Sequence, residues 1–187
     1  MCIRDSYVFI QFGHNDEKSA EKLHTVPGST FDENLRRFVR ETRAKGAYPV
    51  LFNSIVRRNF PPEGATENKG SYEMEGNTLV DTHGEYLESP RRVAKEMNVP
   101  FVDMNKLTHD LVVGMGVEKS RSLFMWVPAG KYDFCPKGKI DNTHLNIYGG
   151  KVVAEIAMEA VAKVVPELAP YVRHHDSEVY VADYKDD

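Results

Sequence analysis

The sequence is poor in cysteine, in long apolar runs and in excess charge of either sign. It holds two cysteines among 187 residues, and its formal net charge is −4. So mild a charge gives no reason to expect a nucleic acid or an anionic membrane surface as a partner. No apolar run approaches the roughly 18–20 residues that a membrane-spanning helix needs, and no signal peptide is recognisable. What is left is a chain long enough to bury a sizeable core in one domain.

The first six residues do not fit the pattern of the chain that follows. Residues 1–6 run straight into an apolar strand with no helix or loop before it, so we interpret them as a non-native leader. Cys2 belongs to this leader, which leaves Cys135 as a lone cysteine that says nothing about the redox compartment. A lone cysteine can be a nucleophile, but the neighbours Phe134 and Pro136 favour packing or a loop here.

Apolar strands alternate with amphipathic helices along the rest of the chain. Strands are predicted at residues 7–12, 48–53 and 101–103, and helices at residues 31–45, 82–97, 105–113 and 147–164. This alternation is typical of a three-layer α/β/α domain with a parallel sheet.

Local signals refine this outline. Thr30, with Glu33 three residues later, predicts a capping box at the start of the first helix. The last helix carries a stripe of small and branched residues that indicates burial: Val152, Ile156 and Ala160. Two long stretches, residues 57–79 and 114–140, are predicted to be irregular, and the first of them to be a surface loop. A loop of that length in a compact domain is usually functional or disordered.

Two short polar strings carry the chemistry. Asp141 lies three residues before His144, on the predicted turn into the last helix, so its carboxylate can hold one imidazole nitrogen. The other nitrogen is then available to take a proton from a hydroxyl group. Asn15, in the string Gly-His-Asn-Asp at residues 13–16, follows the first strand and supplies a side-chain amide for a developing oxyanion. These are parts of an esterase site, without its nucleophile.

Each of these residues also has a structural or metal-binding interpretation. Asn15 suits a turn, and Asp141 can cap a helix. His144 can be a buried histidine whose hydrogen bonds are satisfied. His14 with Asp16, and His144 with Asp141, have the residue types of a divalent-metal site.

Further candidates for contact with a substrate are His14, His83 and Trp126. His83 lies with Asp81 at a predicted helix start, where capping is the alternative role. Trp126 either stacks on a sugar ring or covers the core.

Four strings of the sequence, in their order and spacing, resemble the SGNH (GDSL-type) hydrolases, and within them the rhamnogalacturonan acetylesterase group: residues 7–16, 46–50, 80–84 and 141–144. The resemblance extends over residues 7–164. It implies a flavodoxin-like sheet, with Asn15 as an oxyanion donor and with Asp141 and His144 as members of a catalytic triad.

Two blocks of that family have no counterpart here, namely the Gly-Asp-Ser nucleophile block and a block that gives a glycine to the oxyanion hole. The family's sheet order is 2-1-3-4-5, so we expect the first two strands to be missing. Ser6 follows an aspartate, as the family's nucleophile does, but it precedes the first strand, whereas Asn15 follows that strand. The two residues are therefore roughly 20–30 Å apart, at opposite edges of the sheet. A nucleophile must come within hydrogen-bond reach of its base, so we predict that the chain contains none.

The resemblance implies a carbohydrate O-acetylesterase that acts on an acetylated pectin-type polysaccharide, with no cofactor and no metal ion. It also implies a secreted or periplasmic protein. We expect a hydrolase domain at residues 7–168 and a charged tail at residues 169–187, and we expect the chain as given to be inactive. The alternatives are a non-catalytic carbohydrate-binding remnant and a metal-dependent hydrolase.

Overall fold

The computed structural model describes residues 5–19, 22–65 and 75–174. The chain divides into two compact units, each assembled from two stretches of sequence. The first unit comprises Met1–Ile55 and His83–Leu107, and the second comprises Val56–Thr82 and Thr108–Asp187. Of the expected leader only Asp5 and Ser6 are described, and the expected tail beyond residue 174 lies outside the described residues.

The first unit is built around a parallel sheet. Its strands are β1 (Tyr7–Gln11), β2 (Tyr48–Phe52) and β3 (Phe101–Val102), in the order β1-β2-β3. Helices α1 (Thr30–Ala44) and α2 (Glu88–Met97) pack on β2 and on each other. This arrangement confirms the predicted α/β fold with a parallel sheet, in which helices cover apolar strands.

An apolar core joins these helices to the sheet. Phe31, Leu35 and Val39 recur every four residues along α1 and are buried, as the period of an amphipathic helix requires. The remaining buried members come from the strands, from α2, from the short 3-10 helix Gly84–Leu87 before it and from the connection between α2 and β3: Ile10, Leu51, Tyr86, Val93, Ala94 and Val99.

Helix α1 does not begin with the predicted capping box. Its N-cap residue is Ser29, whose side chain makes no capping hydrogen bond. Thr30 Oγ1 instead accepts a hydrogen bond from the Val26 N–H at 2.8 Å, and Glu33 pairs with Arg40 at 2.5 Å. The prediction is wrong because the threonine hydroxyl stabilises the turn before the helix and the glutamate binds a cation two turns further along α1.

The second unit combines helices with an antiparallel pair of strands. Helix α3 (Met104–Ser120) begins after β3, crosses the boundary between the units and kinks at Gly116, whose φ is 77°. Strands β4 (Phe124–Val127) and β5 (Lys139–Leu145) pair with each other. Helix α4 (Ile147–Val164) follows β5, and a 3-10 helix, Pro166–Tyr171, follows α4.

Part of this unit was predicted wrongly. Residues 114–140 are not irregular throughout, because they contain the end of α3 and all of β4. Residues 57–79 carry no helix or strand in their described parts, as predicted, but Arg58 and Phe60 are buried, so the segment is not simply a surface loop. Residues 66–74 of it lie outside the described residues.

Helix α4 has the predicted bounds but is less buried than predicted. Val152, Ile156 and Ala160 are half-buried, and its fully covered residues are Gly149 and Val161. No helix in the described part of the chain combines the length and the apolar character that crossing a membrane requires.

The first unit has an exposed strand edge, from which we predict self-association. Within the described residues β1 has one neighbour, β2, and Phe9 and Phe12 are 45% and 48% exposed. A strand edge without proline or lysine invites pairing with another chain. We expect oligomers on size-exclusion chromatography and weak protection from hydrogen exchange across residues 8–11, with Leu51 on the central strand as the protected reference. A sharp monomer peak with slow exchange across β1 would show that another segment covers this edge.

Candidate active site

The Asp-Asn-Thr-His string lies within strand β5, and not on the turn into a helix as predicted. Met125 of β4 stands opposite Asp141, but the next partner along β5 is Leu145. Residues 142–144 therefore form a bulge in the strand. Bulges re-aim side chains beside active sites, and this one brings Asp141 and His144 side by side.

The Asp141 carboxylate organises this bulge. Its Oδ1 accepts the main-chain N–H groups of Thr143 and His144, each at 2.9 Å. Its Oδ2 lies 2.7 Å from His144 Nδ1 and 2.8 Å from Lys139 Nζ. The alternative in which Asp141 caps the last helix is wrong, because Asn146 is the N-cap residue of α4 and accepts the Gly149 N–H.

These contacts keep Asp141 ionised. Burial alone would raise the pKa of its carboxyl, but the Lys139 ammonium, the N–H groups of His144 and Thr143 and the His144 imidazole outweigh burial and hold the pKa far below its usual range. A carboxylate that stays charged fixes the tautomer of the imidazole it accepts from, with the proton on Nδ1. The nitrogen left to act as a base is then Nε2.

The His144 side chain is 72% exposed. This exposure contradicts the alternative of a buried histidine with satisfied hydrogen bonds. With Nδ1 held by Asp141, Nε2 can take a proton from a hydroxyl group or from water. The two residues, which we call the Asp–His pair, therefore have the geometry of a general base and the group that orients it.

Asn142 fixes the bulge to the body of the second unit. Its side chain is buried, and its Oδ1 accepts hydrogen bonds from Arg58 Nη1 at 3.0 Å and from Trp126 Nε1 at 2.9 Å. Its main-chain carbonyl accepts the Arg58 N–H at 2.9 Å. Neither Asn142 nor Arg58 was predicted to belong to the site, since an arginine in a polar, proline-containing stretch gives no signal of burial.

Arg58 is fully buried and its guanidinium is enclosed by acceptors. Nη2 donates to Glu75 Oε2 at 2.8 Å and to the Val117 carbonyl, and Nε donates to Ser120 Oγ at 3.0 Å. Burial alone would raise the pKa of the Glu75 carboxyl, but hydrogen bonds from Arg58 and Arg121 hold it below its usual range. The buried cation is therefore matched by a buried anion.

Trp126 is part of the network of contacts around Arg58 and Asn142. The guanidinium carbons of Arg58 and Arg121 lie 5.2 Å and 4.6 Å from the centre of its ring, within the range of cation–π attraction. The ring also borders an open groove of 570 Å³ in the second unit, together with Lys137, Lys139 and other residues of β4, β5 and the loop between them. Contact between Trp126 and a sugar stays a prediction, and a sugar that stacks on the ring would lie in this groove.

The Gly-His-Asn-Asp string forms a turn after β1 in the first unit. Gly13 has a φ of 115°, a conformation that favours glycine, and its N–H donates to Asp16 Oδ2 at 3.0 Å. Asp16 Oδ1 accepts from Thr25 Oγ1 at 2.8 Å, and the Tyr86 hydroxyl donates to the Thr25 carbonyl at 2.5 Å. Asn15 is exposed on the turn that these bonds hold. The turn interpretation of Asn15 and its predicted role as an amide donor are thus compatible.

His14 and His83 are brought together in the first unit. His83 Nε2 lies 3.1 Å from His14 Nδ1, and the ring centroids are 5.0 Å apart. His83 is 2% exposed, whereas His14 is half-buried. Burial therefore leaves the His83 ring little exposed surface of its own, and its Nε2 faces the more exposed imidazole of His14.

The predicted site residues thus form one group in each unit. Asn15, His14 and His83 lie in the first unit, and Asp141, His144 and Trp126 lie in the second.

A metal site was one alternative for these residues. In the described part of the chain, the His, Cys, Asp and Glu side chains that come close enough to hold one ion are Glu155, Glu159 and His174, at the surface around α4. This group contains none of the histidines considered for a metal in the sequence analysis, and His174 is already paired with the two carboxylates at 3.5 Å and 3.6 Å.

The Asp141 contacts predict how stability depends on pH. A carboxyl whose pKa is lowered by folding stabilises the protein above its unfolded pKa, about 3.9, and this contribution is lost as the pH falls. We expect Asp141→Asn to lower the urea midpoint at pH 6 and to lower it less at pH 3, because the contribution starts to decline below the unfolded pKa and is lost completely only below the folded one. Asp133→Asn, at an exposed site in the same unit, is the control. An equal loss for Asp141→Asn at both pH values would contradict this account.

Comparison with known proteins gives the family of the chain. Residues 3–157 match the model of the GDSL-like lipase/acylhydrolase family. The chain is 35% identical over 158 residues to the rhamnogalacturonan acetylesterase RhgT of Bacillus subtilis, covering 84% of this chain and 61% of that protein. It is 26% identical over 165 residues to the probable rhamnogalacturonan acetylesterase YesY of the same organism, covering 88% of this chain and 64% of that protein. The chain therefore spans less than two thirds of the length of these relatives.

Solved structures show the same fold. The protein YxiM of Bacillus subtilis superposes with a TM-score of 0.62 at 22% identity, over 89% of this chain and 39% of that one. A variant of an acetyl-xylooligosaccharide esterase from Geobacillus stearothermophilus superposes with a TM-score of 0.54 at 15% identity, over 91% of this chain and 63% of that one. As the order of its motifs predicts, the chain belongs to the GDSL-like lipase/acylhydrolase family.

Proposed function

We propose that the protein is a carbohydrate O-acetylesterase. The observation that carries the proposal is the contact of 2.7 Å between Asp141 Oδ2 and His144 Nδ1, in a bulge that leaves the imidazole exposed. Membership of an acylhydrolase family supports ester hydrolysis, and the similarity to rhamnogalacturonan acetylesterases supports an acetyl group on a sugar.

In the proposed reaction His144 is the general base. A serine hydroxyl attacks the acetyl carbonyl while His144 Nε2 takes the hydroxyl proton, and Asp141 stabilises the imidazolium that forms. The Asn15 amide donates a hydrogen bond to the oxyanion. The imidazolium then returns its proton to the leaving sugar oxygen, and a second cycle with water releases acetate. The serine is the one that the family resemblance assigns to a Gly-Asp-Ser block, a string that this sequence does not contain.

The proposed substrate is an acetylated polysaccharide of the pectin type. Its support is the similarity to two proteins whose names specify rhamnogalacturonan. The groove beside Trp126 is open and partly apolar, as a site for a sugar ring requires, and Lys137 and Lys139 lie along it.

The same groove favours a second candidate, a protein that binds acetylated carbohydrate without hydrolysing it. The two candidates differ in what happens to the acetyl group. Calorimetric binding of an acetylated oligosaccharide with no acetate release, in a chain supplied with the serine block, would favour binding alone.

The 187-residue chain itself can be tested for esterase activity. Because no Gly-Asp-Ser string is present, we expect turnover of p-nitrophenyl acetate to be lower by orders of magnitude than in a complete serine esterase. Ser6 leads into β1, and its carbonyl accepts the Tyr48 N–H at 2.8 Å, whereas the turn with Asn15 follows the other end of that strand. Ser6→Ala should therefore leave the turnover of p-nitrophenyl acetate unchanged. Robust turnover that Ser6→Ala abolishes would make Ser6 the nucleophile.

The roles proposed for His144 and Asn15 can be tested in a chimera in which the family's serine block precedes residue 7. We expect His144→Ala to remove nearly all activity on acetylated rhamnogalacturonan. Asn15→Ala should lower kcat by about 10²–10³, the usual effect of losing one oxyanion donor. His109→Ala is the matched control, since His109 lies on α3 outside both motifs.

Two outcomes would contradict the assignment made for the chimera. Full activity of His144→Ala would show that another group is the base. Loss of activity in EDTA, restored by a divalent metal, would favour a metal-dependent hydrolase.

A further inference from the structure

Lys139 and His144 contact the same carboxylate oxygen. Lys139 Nζ lies 2.8 Å from Asp141 Oδ2, and His144 Nδ1 lies 2.7 Å from that atom. An ammonium and a catalytic imidazole thus share one acceptor. Neither the sequence motifs nor the resemblance assigns a role to Lys139.

Strand geometry places the lysine there. Lys139 and Asp141 are two residues apart on β5, and residues at that spacing point to the same face of a strand. Opposite them on β4 stand Val127 and Met125, whose side chains carry no charge. The nearest cation that the strand pair offers to Asp141 is therefore Lys139.

We propose that Lys139 is a positioning residue of the Asp–His pair: its ammonium shares the Asp141 Oδ2 acceptor with His144 and opposes protonation of the imidazole, which therefore stays a neutral base to lower pH than it would beside Asp141 alone. This inference rests on the proposed function for its catalytic meaning. The electrostatic coupling itself is a property of the chain as it stands.

The physical basis is a balance of two charges. A carboxylate beside an imidazole favours the imidazolium, and an ammonium on the same oxygen disfavours it. Because both contacts end on Oδ2, the two nitrogens lie at most about 5.5 Å apart, the two distances laid end to end. The Lys139 and His144 side chains are 48% and 72% exposed, so water screens the repulsion and its effect is moderate.

Other charges around β5 stay constant in the test. Arg58 reaches Asn142 in the bulge, and its charge is matched by buried Glu75. Arg121 lies over Trp126 of β4, and Lys151 and Glu155 lie on α4, which packs against β5. None of these groups is altered in the variants below, so a change in His144 titration reports on position 139.

The test is an NMR titration of the His144 imidazole in the 187-residue chain at low salt. The signal is assigned from its absence in His144→Gln. Lys139→Met keeps most of the aliphatic stem and removes the charge, and Lys139→Gln is a second neutral variant. Lys139→Arg keeps the charge, and Lys137→Met removes an equal charge from the same groove.

We expect both neutral variants at position 139 to raise the midpoint of the His144 titration by about 0.5 pH unit, which is the scale of a partly screened unit charge at this distance. Lys139→Arg should keep the midpoint of the unaltered chain. Lys137→Met should move it by less than half as much as Lys139→Met.

Three results would overturn the proposal: an unchanged midpoint in the neutral variants, a downward shift, or an equal shift in Lys137→Met. The titration requires no turnover. Failure of the chimera as an esterase therefore refutes the proposed function without touching this coupling, and an unchanged midpoint refutes the coupling without touching the proposed function.

Discussion

The second unit depends on a cation that water cannot reach. The Arg58 guanidinium is fully buried, and transfer of an isolated charge to such a place is too costly unless every donor finds an acceptor. Glu75 supplies the opposite charge, and Asn142, Ser120 and the Val117 carbonyl supply the remaining acceptors. Removing one partner of such a pair typically costs about 3–5 kcal/mol, since it strands the other charge. The segment around Arg58 and the bulge of β5 therefore hold their positions together.

This constraint explains why the His144 imidazole can be exposed and still be oriented. His144 has little packing of its own, but the residue two positions before it is tied down by three hydrogen bonds, and the residue three positions before it holds both its main-chain N–H and its ring. Orientation thus comes from the bulge and not from a pocket around the ring. Pre-organisation of this kind limits the motion that would otherwise cost an enzyme rate.

The sequence revealed the chemistry of the site better than its architecture. The spacing of Asp141 and His144 was sufficient to predict their contact, because three residues is within reach of one carboxylate in several local conformations. It was not sufficient to predict a strand, since Lys139 to His144 is polar with one apolar residue, Ile140, and shows no alternation. The strands of the parallel sheet are apolar runs and were found within one residue of their bounds. Arg58 was beyond prediction, because its burial depends on Glu75 and Asn142, 17 and 84 residues away.

The imidazole contact in the first unit has a consequence for the turn that carries Asn15. At 3.1 Å one of the two facing nitrogens must donate and the other accept, so the two rings cannot choose their tautomers independently. If buried His83 donates through Nε2, His14 keeps its proton on Nε2 and presents a donor at its outer nitrogen. If His83 accepts, the outer nitrogen of His14 is an acceptor. The hydrogen-bonding character of a group next to the Asn15 amide is therefore decided by the tautomer of a residue that is itself 2% exposed.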